Sequence, residues 1–303
     1  MWLLTKRTLQ QNRWRNVIAV CAIVLTSVLF TGFFAVAGGL VDQFNQSGYR
    51  LRGSNAMAGI KYLSESQYEA VKATGKYKSL NCTRLVGGTQ DEALRKLNGE
   101  VRWGEDAAAE YAFSLPTTGR MPQNENEVAV STLVLDALGI AHEIGAEVPL
   151  NIGVDEGENG IKTHTKTFVL SGYWQGDKLA PAQQVWLSRM YADKIAPAAK
   201  LPLAETGSYT GLYMAEIEFG NRLLMGQKMQ DLLQAAGLVE ETTSYYYDTQ
   251  NNSGGGAPDF ATVASIGLFL AFVLLSGYLI IYNIFYISVV QDIRLYGLLK
   301  TVG

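Results

Sequence analysis

The chain has 303 residues, 48% of them hydrophobic and 17% charged, with a formal net charge of −3. The apolar excess is uneven: no charged residue occurs between Arg15 and Asp42, nor between Asp259 and Asp292. The stretch between these two runs carries a net charge of about −8, which excludes a nucleic-acid partner, because phosphate contacts need clustered Lys and Arg.

Residues 1–16 place Trp2 and Trp14 around Lys6, Arg7 and Arg13, the composition of a segment lying at the cytoplasmic membrane face. Residues 17–41 read as a first transmembrane helix, since a hydrocarbon core of roughly 30 Å needs about 20 apolar residues. Signal cleavage after Ala37 is the alternative, disfavoured because the preceding apolar run exceeds the usual h-region of roughly 7–15 residues. Cys21 lies in this run and Cys82 stands alone beyond it, so no disulfide framework is expected and Cys82 reads as a small buried residue.

Residues 42–258 mix both periodicities and predict an α+β extracytoplasmic domain, in one lobe or two. "SESQYEAVKAT" carries Ser64 and Gln67 at the spacing of a capping box. "NEVAVST" alternates as a strand, and "TLVLDALGI" follows as a short helix closed by Gly139. "GAEVPLNIGV" and "TKTFVLSGYW" read as strands flanking the turn "DEGENG", and "QQVWLSRMYADKI" passes from strand to helix. "LYMAEIEF" is a strand, followed by an amphipathic helix with Asn221 as its expected N-cap and Gly237 as its stop. "DTQNNSGGGAPDF" is a linker, for no lysine follows Gly254–Gly256 at phosphate-loop spacing.

Residues 259–291 read as the second transmembrane helix, about 48 Å long over its apolar part at ~1.5 Å per residue. Tyr278, Tyr282 and Tyr286 recur every four residues along one face. Basic residues flank both runs on the outer sides of the sequence: Lys6, Arg7, Arg13 and Arg15 before the first, Arg294 and Lys300 after the second. Both termini are therefore expected in the cytoplasm and residues 42–258 outside, in a multi-pass membrane protein.

No catalytic constellation is evident. His142 and His164 lack a partner at helical metal-ligand spacing, and the sequence contains neither G-x-S-x-G nor G-x-x-x-x-G-K-[ST]. The sequence predicts no catalytic residue, no metal ligand and no bound cofactor.

The layout and its local motifs resemble an ABC transporter permease of the FtsX-like family with a MacB-type periplasmic core domain. In "GRMPQNENEVAVSTLVLDALGIAHEIGAEVPL", Gly119, Arg120 and Pro122 match the family's G-R-x-P turn, and Glu127 opens the strand after it. Gly139 and Gly145 match its L-G and I-G elements. Read as residues, these six are scaffold: Gly119 permits a tight turn, Pro122 fixes the chain, and Arg120 can pair with Glu127 across the turn.

At the C-terminus, Arg294, Leu295, Tyr296, Gly297, Leu298, Leu299 and Lys300 fit the short cytoplasmic helix that follows the second span in the family. Leu295, Leu298, Leu299 and Val302 would share one apolar face. The resemblance implies that residues 292–303 begin a coupling helix for a separate ABC ATPase subunit, and that a second permease copy or a homologous permease completes a dimer in the lipid bilayer. It also implies further spans beyond Gly303, so the sequence reads as the N-terminal portion of a longer permease. Such a permease is itself non-catalytic and couples ATP hydrolysis elsewhere to movement of its outer domain. The rival reading is a membrane-anchored sensor or adhesion ectodomain with no ATPase partner.

Overall fold

The computed structural model describes residues 13–248 and, beyond them, residues 267–268, 271–279, 282, 286, 289 and 293. The expected interfacial segment before Arg13, the 249–258 linker and the coupling helix at 294–300 lie outside the described residues. Contacts divide the chain into two units, Met1–Phe44 with Gly256–Gly303, and Asn45–Gly255.

The first helix, α1 (Arg13–Arg52), is unbroken over 40 residues and contains the uncharged run. Among the described residues no helix is long and apolar enough to cross a membrane; many side chains within the uncharged run lie outside the described ones. Arg50 and Arg52 occupy the last turn of α1, where cations oppose the negative end of the helix dipole. Gly53, at φ +80°, ends the helix by donating its N–H to the Tyr49 carbonyl at 2.9 Å. In the same unit as the uncharged runs, Tyr278, Tyr282 and Tyr286 stack on one helical face with successive ring centroids 5.9 Å apart.

The second unit continues through β1 (Ala58–Leu63), α2 (Glu65–Thr74), β2 (Ser79–Thr89), β3 (Gly99–Gly104), α3 (Asp106–Tyr111), β4 (Thr118–Gly119), β5 (Glu127–Ser131) and α4 (Thr132–Leu138). It then runs through β6 (Glu147–Asp155), β7 (Ile161–Trp174), β8 (Gln183–Leu187), α5 (Arg189–Ile195), α6 (Leu203–Thr206), β9 (Tyr213–Glu218), α7 (Met225–Ala235) and β10 (Ser244–Tyr247). The α+β class expected from the mixed periodicities is what the residues form.

Two lobes share this sheet. In the first, the strand order β10-β1-β9-β2 is antiparallel throughout. Helix α2 links β1 to β2 and α7 links β9 to β10, a split β-α-β arrangement. Its core joins Ile60, Tyr68, Val71, Ile217, Met229 and Leu232. In the second lobe, β2, β3, β8, β5, β7 and β6 pair in succession, and β6 returns to β2, closing a small barrel. Val86, Val101, Val128, Leu150, Phe168, Leu170 and Val185 fill its interior. Closure removes sheet edges that would otherwise invite pairing with other chains. The chain thus inserts the whole barrel between the two halves of the first lobe, and β2 belongs to both.

Local chemistry explains where elements start and stop. Ser64 accepts from the Gln67 backbone while the Gln67 side chain accepts from the Ser64 N–H, so the predicted capping box is present. Helix α4 ends at Gly139, at φ +68°. The two strands flanking "DEGENG" form the long hairpin β6–β7. The expected cap at Asn221 is a correction: α7 begins after Leu224, which takes a left-handed φ of 53° with no side-chain cap. Asn221 Oδ1, four residues ahead of the helix, instead accepts from the Leu223 N–H and the Lys228 ammonium.

Candidate functional site: a polar cleft lined from both lobes

The motif residues converge on one stretch of β7. Gly119 pairs with Gly172, and the Arg120 N–H donates to the Ser171 carbonyl at 2.9 Å. Gly145 donates to the Leu170 carbonyl at 2.9 Å, and Glu127 lies opposite Val169. Gly119 has φ +79°, and a Cβ there would come within 2.3 Å of the Ser171 carbonyl oxygen, so no other residue fits without backbone movement. Pro122 precedes β5 in the same turn, and Gly139 closes the helix after it.

Arg120 and Glu127 form a two-pronged pair at 2.8 and 2.7 Å. Glu127 also accepts from the backbone N–H groups of Gln123 and Asn124 and from the Asn124 side chain. The Arg120 hydrogen bonds, helped by these amides, hold its carboxyl well below the usual carboxylate range. This carboxylate folds its own turn and has no acceptor capacity left for chemistry.

A second cluster ties the two ends of the folded unit together. Arg52, at the end of α1, donates Nη1 to Asp248 Oδ1 at 2.9 Å, just beyond β10. Its Nε and Nη2 donate to the carbonyls of Ser54 and Ala56, and its guanidinium lies 4.4 Å from the Tyr246 ring centroid. Tyr49 donates to Asp248 Oδ2 at 3.1 Å, and Arg222 approaches the same oxygen at 3.7 Å. The Arg52 and Asp248 side chains are only 21% and 9% exposed. The chain therefore enters and leaves this unit through a single charged knot.

Beside that knot opens a cleft of about 370 Å³, within the roughly 300–1,000 Å³ range of small-molecule sites. The first lobe contributes Lys61, Tyr62 and Glu216 to its wall, and the barrel contributes Glu100, Arg102 and Gln184. Glu216 is buried, accepting from Ser54 Oγ at 2.7 Å and from the Tyr246 hydroxyl. Burial pushes its carboxyl above the usual value, against the opposing hydrogen bonds from Tyr246 and Ser54. Burial would raise Glu100 too, but the charge and hydrogen bond of Arg102, at 2.7 Å, outweigh it and hold Glu100 low. Arg102 Nε and Gln184 Oε1 are buried without a hydrogen-bond partner.

Backbone strain gathers here as well. Four non-glycine residues among those described have positive φ: Tyr62, Asn98, Phe113 and Leu224. The first three line the cleft. Tyr62 sits at a register shift between β1 and β9, where a left-handed aromatic residue costs energy that the surrounding structure must offset.

Sequence reasoning did not find this cleft, because it placed residues 184 and 216 in separate strands and assigned no element to residues 61, 100 and 102. The available signal was a charged residue inside an apolar strand, as with Glu216 in "LYMAEIEF". Cys82 is buried and unpaired, as expected, and burial pushes its thiol up to about 11. His142 meets Asp136 at 2.9 Å on the surface, and no cluster of metal-ligating side chains occurs among the described residues.

No family model matches the sequence, and comparison with curated proteins finds no relative. Among solved structures, the chain is similar to the extracellular domain of the noncanonic ABC-type transporter YknZ from Gram-positive bacteria, at 8% identity and a TM-score of 0.37 over 63% of this chain and 100% of that one. It is similar to the periplasmic region of MacB from Actinobacillus actinomycetemcomitans, at 9% identity and a TM-score of 0.40 over 65% and 91%. A domain of a putative permease protein from Porphyromonas gingivalis matches at 10% identity and a TM-score of 0.37 over 69% and 93%. The first two are an extracellular domain and a periplasmic region of their proteins, and at such scores the likeness carries no further argument.

Proposed function

We propose that this chain is the permease subunit of an ABC transporter of the FtsX-like, MacB-type kind, with residues 42–258 outside the membrane. In this reading residues 17–41 and 259–291 cross the bilayer, and residues 292–303 begin the element that meets a separate ATPase. The permease works as a dimer and is not itself an enzyme. The family motifs in the sequence and the two uncharged runs with basic outer flanks support the reading, which does not rest on the structural neighbours.

The observation that carries it is the knot at Arg52 and Asp248. Helix α1 passes without a break from the uncharged run to Arg52, and Asp248 opens the segment leading toward the second run. A hydrogen-bonded helix is axially stiff, so displacement at its cytoplasmic end would arrive at Arg52 largely undamped. Because entry and exit are clamped together, both spans would act on the outer domain at one point. ATP-driven closure of the partner subunits is thereby converted into movement of the outer domain, which serves export or release of a substrate.

Topology tests the first half of this proposal. With Cys21 and Cys82 replaced by serine, single cysteines are placed at Thr5 and at Glu158, which lies in the exposed β6–β7 turn. A membrane-impermeant maleimide applied to intact cells should label position 158 and leave position 5 unlabelled until the cells are opened. Labelling of both, or of position 5 alone, would remove the permease reading.

A further inference from the structure

We propose that the cleft lined by Lys61 and Arg102 is a binding site for a small organic monoanion bearing a carboxylate.

The pairing of the charged groups in the wall points to this ligand class. Arg50 is paired with Asp177 at 3.4 Å, Arg52 with Asp248 at 2.9 Å, and Arg102 with Glu100 at 2.7 Å. Glu216 is satisfied by the hydroxyls of Ser54 and Tyr246. Lys61 is left over: its nearest aromatic contact is the Tyr246 ring at 5.7 Å, and no hydrogen bond or ion pair engages its ammonium among the described residues.

Burial, and then the neighbouring Arg102 guanidinium, hold Lys61 below the ordinary lysine value. Glu216 and Glu100 act against that shift, but neither forms an ion pair with the ammonium, which leaves its hydrogen bonds open to an anionic ligand. An ammonium without a hydrogen-bonded counter-charge suits a carboxylate oxygen, with which it forms a charge-assisted hydrogen bond.

Arg102 Nε is a further donor without a partner, and Gln184 Oε1 is an acceptor without one. Tyr62, Phe113, Trp174 and Met214 supply apolar wall for the ligand's body. The left-handed conformations of Tyr62 and Phe113 place aromatic residues at the cleft despite their backbone cost. The site is built entirely within Asn45–Gly255, so the inference does not depend on the permease reading.

The test uses the full 303-residue chain in detergent and two probes that differ only in charge, N-acetyl-L-phenylalanine and its neutral amide. Titration calorimetry should give saturable binding of the carboxylate, at least about tenfold tighter than the amide, the range of one charge-assisted hydrogen bond. Lys61→Gln should abolish the preference for the carboxylate, while Lys61→Arg should retain it. Near-UV circular dichroism establishes that both variants are folded. Equal affinity for the two probes would overturn the proposal, as would a folded Lys61→Gln with undiminished preference. Failure of the carboxylate to bind up to about 10 mM, beyond the weak end of specific affinity, would also overturn it.

Discussion

Replacing Asp248 by Asn isolates the charge of the knot while keeping its shape. Asp248 is 9% exposed and accepts from Arg52 and Tyr49, with Arg222 nearby at 3.7 Å. The variant leaves Arg52 its two carbonyl partners and the Tyr246 ring but removes its carboxylate partner. Hydrogen bonds to charged groups contribute about 1.5–3 kcal/mol, and stranding one member of a fully buried pair costs about 3–5 kcal/mol. Arg52 is 21% exposed, so solvent recovers part of that loss and about 2 kcal/mol is expected. For a unit of this size each kcal/mol shifts Tm by about 2–4 °C, giving a fall of about 4–8 °C. Thermal melts followed by near-UV circular dichroism, with exposed Glu241→Gln as the control, measure it. If Asp248→Asn melts with the control, the knot contributes nothing and the clamp argument fails.

Other expectations concern separate parts of the unit. Glu127→Gln should cost about 1–3 kcal/mol at pH 7 in urea titrations. Because the folded carboxyl is held low by Arg120, its contribution is complete above the unfolded value of about 4.3 and fades as pH falls toward the depressed folded value. The stability difference from Glu127→Gln should shrink below about pH 4; a difference constant down to pH 2 would contradict this. Asp193→Asn strands Arg84, which is 2% exposed and paired at 2.5 Å, at a cost of about 2 kcal/mol. Adding Arg84→Met to that variant should recover stability as read by the urea midpoint. Gly119→Ala should lose at least about 2 kcal/mol, since it combines φ +79° with a 2.3 Å approach to Ser171. Ser64→Ala breaks the α2 capping box and should cost about 1 kcal/mol in the same titration.

Local pattern was readable wherever one physical rule dominated. The strand at Glu127–Ser131, the capping box at Ser64 and the glycine stop at Gly139 were read from neighbours within a few residues, although the strand is buried on both faces and does not alternate. Strands β1 and β3 escaped notice because "GIKYL" and "GEVRWG" mix charged and apolar positions. Their charges point into the cleft, whereas the usual rule sends them to solvent. The α7 start was misread because Leu224, an exposed residue, adopts a left-handed φ, which no propensity signals for leucine. The closed barrel depends on Gly87, where a Cβ would lie 2.0 Å from the Gly153 carbonyl oxygen; that approach exists only once β2 and β6 meet. The cleft is hidden from sequence for the same reason, since Lys61, Arg102, Gln184, Glu216 and Tyr246 come together through topology alone. The Arg120–Glu127 pair was foreseeable because seven residues and one turn separate its members.

The most direct test of the account is hydrogen–deuterium exchange on the full chain purified from its own cells with the subunits it retains, with and without trapped nucleotide. The account predicts that an ATPase subunit co-purifies, and that trapping ATP changes amide protection around residues 49–56 and 245–248, where the knot receives both spans. Absence of an ATPase partner, or identical protection in the two states, would contradict it.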